Sequence, residues 1–195
     1  MKVALVNPPY GLEELVGKSK SMKGIMNIVQ PLGLGYIAAL LERNGHDVAI
    51  EDCQCLGLDH QTLIDNLRKS QPDIVGISAT TPTFGSSLLT AQLVRANLPD
   101  ATVIIGGAHV SALPKETMAY DCLDIGVIGE GDYTTLELVT HMEKNGLEDF
   151  EQIHGIVFRR NGEFRQTDRR PFIKNLDELP FPQIHCQAAL RHKKR

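Results

Sequence analysis

Two apolar runs in this chain stop at glycine clusters: Ile104-Ile105-Gly106-Gly107-Ala108-His109 and Ile125-Gly126-Val127-Ile128-Gly129-Glu130-Gly131. A β-branched run that ends in glycine reads as a buried strand whose carboxyl end meets something flat or anionic, because only glycine lets backbone approach a ligand closely. Two further strand-like runs end in chemistry-bearing segments. One closes on Asn7, Pro8, Pro9, Tyr10 and Gly11, the other on Ser78, Ala79, Thr80 and Thr81. Glycines offer a bulky planar ligand a floor, and the hydroxyls of Ser78, Thr80 and Thr81 can bond its polar edge. His109 and Glu130 complete the candidate cofactor-binding set, in which no residue is assigned a catalytic or metal-ligating role.

Strands must carry these segments to one place. Strands are expected over residues 2–6, 48–51, 74–78, 102–105 and 124–128, each returning through a helix over residues 32–44, 60–70, 84–97, 115–119 and 133–145. Pro31 opens the first helix, Gly45 stops it, and Asp59 caps the second. The alternation predicts an α/β fold, a doubly wound five-stranded parallel sheet of the flavodoxin-like or Rossmann-like kind, whose ligands sit beyond the carboxyl ends of the strands. Residues 1–150 form this unit. A β-hairpin turning at Asn161-Gly162 and a proline linker fill residues 151–182, and residues 183–195 are a polar, basic tail. Residues 12–30 read as a long loop over the strand ends.

Composition narrows the partners. The 195 residues are 42% hydrophobic and 23% charged, which are globular values, and the net charge of -4 gives no electrostatic reason to expect nucleic acid. No stretch approaches the roughly 18 apolar residues of a membrane span, and the opening lacks a signal-peptide core, so a cytoplasmic protein is expected. Cys53, Cys55, Cys122 and Cys186 lack zinc or iron-sulfur spacing and read as reduced thiols. Common nucleotide motifs fail: strand one ends in prolines rather than Gly-x-Gly-x-x-Gly, and no Gly-x-x-x-x-Gly-Lys-Ser/Thr occurs. A phosphoacceptor domain would end strand three in Asp, where this chain has Ser78. A flavin site would want phosphate contacts after strand one, where Pro8 and Pro9 have no N–H to give.

Over residues 1 to 182 the chain resembles the N-terminal cobalamin-binding domain of the B12-dependent radical S-adenosylmethionine enzymes. The resemblance rests on Asn7-Pro8-Pro9, Pro31-Leu32-Gly33-Leu34-Gly35-Tyr36, Gly45-His46-Asp47-Val48, Val75-Gly76-Ile77-Ser78, Gly106-Gly107-Ala108-His109, Gly129-Glu130-Gly131 and Leu179-Pro180-Phe181-Pro182. Ser78-x-Thr80 and Gly106-Gly107 stand where the wider cobalamin-binding fold has Ser-x-Leu and Gly-Gly. The resemblance implies cobalamin as cofactor, with Gly106-Gly107 beside its nucleotide tail and residues 129–131 as a neighbouring wall. Cobalamin mutases and methionine synthase carry a histidine after strand one that ligates cobalt. This chain has none there, so the implied form is base-off without histidine ligation, and His109 reads as a hydrogen-bonding rim residue.

The family's [4Fe–4S] cluster and S-adenosylmethionine belong to a barrel that follows the linker. That barrel is the expected C-terminal partner and is absent from these 195 residues, so the chain alone is not expected to be catalytic. Both methyltransferases and the branch similar to anaerobic magnesium-protoporphyrin IX monomethyl ester cyclase share this layout. The competing expectation is a non-catalytic interaction domain whose cofactor site has decayed. A bulky residue at Gly107 is expected to separate the two readings, costing ligand while the fold survives.

Overall fold

The computed structural model describes residues 1–11 and 30–183; most of the expected loop, at residues 12–29, and the expected tail beyond residue 183 lie outside the described residues. Five parallel strands, β1 (Lys2–Asn7), β2 (Asp47–Asp52), β3 (Ile74–Ser78), β4 (Thr102–Gly106) and β5 (Ile125–Val127), lie in the order β2-β1-β3-β4-β5. The winding reverses between β1 and β3, and ligands of open α/β sheets bind at such a reversal.

The hairpin joins this sheet. Strand β6 (Ile156–Arg160) adds antiparallel to β5 and β7 (Glu163–Gln166) antiparallel to β6, making a sheet of seven strands among the described residues where five were expected. β5 is only three residues long and buried throughout, so the backbone groups on its far side need a partner, which β6 supplies. Asn161 and Gly162 both take positive φ, 53° and 80°, as a two-residue turn between twisted strands requires.

Helices cover both faces. α1 (Leu32–Arg43) and α7 (Asp132–Asn145) pack on one, burying Leu34, Ala38, Leu41, Leu138, Val139 and Met142 against Val3, Leu5, Ile74, Ile104 and Ile125. α3 (His60–Ser70) and α4 (Phe84–Asn97) pack on the other, against Ala4, Val6, Val75, Ile77, Val103 and Ile105. The period of two along each strand sends alternate residues to the two cores. Asp59 caps α3 as expected, its carboxylate accepting from the Thr62 N–H at 2.8 Å, a bond worth about 1 kcal/mol. Short turns α2 (Cys53–Leu56), α5 (Ala108–Ala112) and α6 (Pro114–Thr117) follow β2 and β4. Cys53 and Cys122 are free thiols, whereas Cys55 is disulfide-bonded, which corrects the expectation of reduced thiols at that position. Burial and the carboxylates of Glu51 and Asp52 push the Cys53 thiol up to about 12, which leaves it unreactive at neutral pH.

Candidate functional site

On the α1/α7 face the sheet floor is missing side chains. The residues that face this side read Ile74, Gly76, Ser78 along β3 and Ile104, Gly106 along β4, so each strand carries a bulky residue deep in the fold and a glycine nearer its carboxyl end. Gly76 is paired with Leu5 and Ile104, and Gly106 with Ser78. The result is a slot of about 210 Å³ between the sheet and the two helices. Val3, Leu5, Ile74 and Ile104 form its inner wall, Gly33, Leu34 and Ile37 the α1 side, Val127, Gly129 and Gly131 the β5 side, and Asp132 and Thr135 the α7 side.

Glycine has two different roles here. A Cβ on Gly33 or Gly129 would meet nothing within 4 Å, and one on Gly106 would make only ordinary contact with Val127 at 3.6 Å, so these positions leave space for a guest. Gly107 differs: its φ is +114°, and a Cβ would sit 2.5 Å from the Ala79 carbonyl oxygen. Gly126 is likewise closed off, by Val157 at 2.5 Å. The expectation that a bulky residue at Gly107 spares the fold is therefore corrected: the backbone could not accept one.

Polar groups along the slot are few and unengaged. The hydroxyls of Ser78 and Thr135 have no hydrogen-bond partner among the described residues, although Thr135 is only 6% exposed. Because among the described residues no fully enclosed side-chain polar atom lacks a partner, both hydroxyls open into the slot. The Asp132 carboxylate takes its own backbone N–H, and burial, reinforced by nearby Glu130, raises its pKa from the ordinary aspartate value. A hydroxyl that no protein group takes adds nothing to packing, so folding alone would accept valine at position 135. Such a residue marks a surface built for a ligand.

The opposite side of the rim is closed. Asn7 donates to Asp52 at 2.8 Å, Gln54 donates to the carbonyls of Pro8 and Tyr10 at 3.2 Å, and the Ser86 hydroxyl donates to the Pro9 carbonyl. The segment from Asn7 to Gly11 is thus tied to α2 and α4 through its backbone. Thr80 shares a hydrogen bond with Thr83 at 2.9 Å, so its hydroxyl is engaged within the turn. Thr81 lies 3.3 Å from His109 Nδ1, and the His109 ring stacks on Phe84 with centroids 3.9 Å apart. Burial lowers the His109 pKa, with Glu116 opposing in part, so the imidazole is neutral at pH 7. Glu130 does not cap α7: its Oε2 accepts from the Ile173 N–H at 2.7 Å, pinning the segment that follows β7.

Of the residues expected from sequence, the slot thus gathers Ser78, Gly106, Gly107, Gly129 and Gly131, while Asn7, Pro8, Pro9, Tyr10, Gly11, Thr80, Thr81, His109 and Glu130 lie outside its lining. Sequence reasoning missed Gly33, Ile37, Gly76, Asp132 and Thr135. Gly76 had a signal, a glycine inside a strand, which weakens it unless something approaches there. Thr135 had a fainter one, a hydroxyl in line with the buried stripe Leu138, Val139 and Met142. Among the described residues no group of three or more His, Cys, Asp or Glu side chains could hold a metal ion, and no helix is long and apolar enough to cross a membrane.

A flat, apolar heterocycle with a polar edge fits the slot, and the rim beyond it, walled by Ser78, Gly107 and Gly129, is open to a larger body. Comparison with known proteins names a class of ligand for it. Residues 24–139 match the family model described as the B12 binding domain. The chain is 35% identical to an uncharacterized methyltransferase of Pyrococcus horikoshii over 99% of its own length and 40% of the relative's. It is 27% identical to the anaerobic magnesium-protoporphyrin IX monomethyl ester cyclase of Cereibacter sphaeroides, over 92% of the chain and 28% of that protein. Among solved structures, the cobalamin-dependent S-adenosylmethionine radical enzyme OxsB with aqua-cobalamin bound superposes with a TM-score of 0.73 at 22% identity, covering 92% of this chain and 24% of OxsB. The radical S-adenosylmethionine methyltransferase TsrM from Kitasatospora setae, with cobalamin and a [4Fe–4S] cluster bound, gives 0.68 at 20% identity over 94% and 31% of the two chains. The chain thus spans less than half the length of these relatives.

Proposed function

The chain belongs to the B12-binding domain family, and on that premise we propose that it is the cobalamin-holding module of a B12-dependent radical S-adenosylmethionine enzyme, of methyltransferase or cyclase type. The observation that carries this reading is the glycine-floored slot opening at the carboxyl rim of β3 and β4, with room left by the missing side chains at Gly33, Gly106 and Gly129. A site in decay would let larger side chains grow into such a space. Bound there, cobalamin would supply a cobalt centre able to carry a methyl group or to assist radical chemistry. The chain's own residues hold and orient it: the slot takes the lower base of the nucleotide tail, Ser78 bonds the tail's polar groups at the rim, and Gly106, Gly107, Gly129 and Gly131 lie along the tail. Residues 7–11 with Thr80, Thr81, His109 and Glu130 frame the corrin's margin.

The finer form of the proposal is base-off binding without a histidine beneath cobalt. Residues 7–11 contain no histidine, and the His109 ring is committed to Thr81 and Phe84 on the face away from the slot. A [4Fe–4S] cluster and S-adenosylmethionine would belong to a partner barrel C-terminal to the segment described, and a cytoplasmic setting suits that chemistry.

Reconstitution with hydroxocobalamin tests the reading. The protein should retain corrinoid through gel filtration, with the visible spectrum of a bound cobalamin. After one-electron reduction, electron paramagnetic resonance should give cobalt lines without nitrogen splitting. Loss of all corrinoid on the column would replace this reading with that of an interaction domain. Nitrogen splitting would overturn the base-off, histidine-free form alone.

A further inference from the structure

We propose that Thr135, with Asp132 one helical turn nearer the rim, selects which lower base the slot accepts: its hydroxyl donates to an unprotonated ring nitrogen, so the site prefers a cobamide whose tail ends in a benzimidazole-type base over one ending in a phenolic ring or lacking a tail. The inference rests on the cobalamin reading above and concerns a residue on the helical wall rather than the strand ends.

Three observations carry it. Thr135 is buried to within 6% of full enclosure, lines the slot, and has a hydroxyl without a partner among the described residues. Apart from Ser78 and Asp132 nearer the rim, the walls it shares the slot with are hydrocarbon or glycine, among them Val3, Leu5, Ile37, Ile74, Ile104 and Val127. In such a setting one hydroxyl decides between ring chemistries, because a guest with no acceptor leaves it unsatisfied, whereas hydrocarbon walls discriminate poorly between rings of equal size. Asp132 lies three residues before Thr135 and so on the same face of α7, where its carboxylate adds a second polar group to the slot on the side nearer the rim. Neither residue has another task in the structure. Neighbouring Thr134, by contrast, is fully occupied by the His154 carbonyl and the Arg170 side chain.

The test is a spectrophotometric titration of the full chain with three probes: hydroxocobalamin, the corresponding cobamide with a p-cresolyl lower ligand, and cobinamide, which has no nucleotide tail. The expected result is that the protein binds hydroxocobalamin about tenfold more tightly than the phenolic cobamide, the discrimination of one satisfied against one unsatisfied buried hydroxyl. Thr135→Val should erase that ratio by weakening hydroxocobalamin alone, Thr135→Ser should keep it, and Asp132→Asn should reduce it by less than Thr135→Val. Thermal melts of each variant without corrinoid check that the isosteric change leaves the fold intact. A ratio unchanged in Thr135→Val, or a wild-type protein that binds the cresolyl form as tightly as hydroxocobalamin, overturns the inference while leaving the cobalamin reading standing. Failure to bind any of the three corrinoids overturns both.

Discussion

Along the α1/α7 side of the sheet rim, glycines and unengaged hydroxyls leave an open slot; along the α3/α4 side, residues of the same types bond one another until nothing is left over. Thr135 and Ser78 have free hydroxyls facing the first, whereas Thr80, Thr81, Ser86 and Ser87 on the second all hold protein partners. The difference teaches that residue type at a strand end is a poor guide to ligand contact. What distinguishes the two sides is whether the helix beyond offers a partner. Phe84 fills the space beside His109, whereas the slot opens above Gly106.

Substitutions can break this contrast, and the largest effect is expected where the backbone itself demands a glycine. Gly107→Val drives a Cβ into the Ala79 carbonyl at positive φ, and should cost about 3 kcal/mol or more of stability in a denaturant melt. Any corrinoid loss would then follow the fold. Gly106→Val should do the reverse: affinity for hydroxocobalamin falls about 100-fold, or ~3 kcal/mol, while the melt moves little, because valine suits a strand and its branches enter the slot. If Gly106→Val binds corrinoid normally, the slot is not the site.

Acid sharpens the closed side. Burial lowers the pKa of both His109 and His46, so the unfolded chain binds more protons than the folded one as pH falls through about 6.5. Their stabilising contribution is full above that pH and is lost below it, and Tm should drop on acidification. His109→Gln should flatten part of this slope, measured by calorimetry between neutral and mildly acid pH. The smallest effect is expected at Glu130→Ala, below about 0.5 kcal/mol, with faster amide exchange at Ile173 where its acceptor is gone.

The fold was largely legible because its signals are local. The apolar runs of β1, β3 and β4, the Asp59 cap and the Asn161-Gly162 turn each follow from a few neighbouring residues. Half of the candidate site was not, because it depends on which helices pack above which strand ends. Gly106 and Gly107 are adjacent and alike in sequence, yet one borders empty space and the other a carbonyl. That distinction comes from the turn of Ala79, a residue of another strand's loop. Thr135 could be flagged only once α7 was known to lie over β5 and β4. The role of Glu130 depended on Ile173, far along the chain and tied back through no sequence motif.

The antiparallel hairpin has a consequence for how this module survives in solution. Without β6, the buried edge Ile125-Gly126-Val127 would present bare amides and apolar side chains to any passing strand, an invitation to intermolecular sheet growth. β6 covers it with Ile156, Val157 and Phe158, all buried, and hands the outer margin to β7, where Glu163 and Arg165 pair with each other at the surface. A fragment cut before residue 156 should therefore precipitate as β-rich aggregate on expression, while one that retains residue 166 should remain dispersed. The last two strands act as a built-in guard against polymerisation.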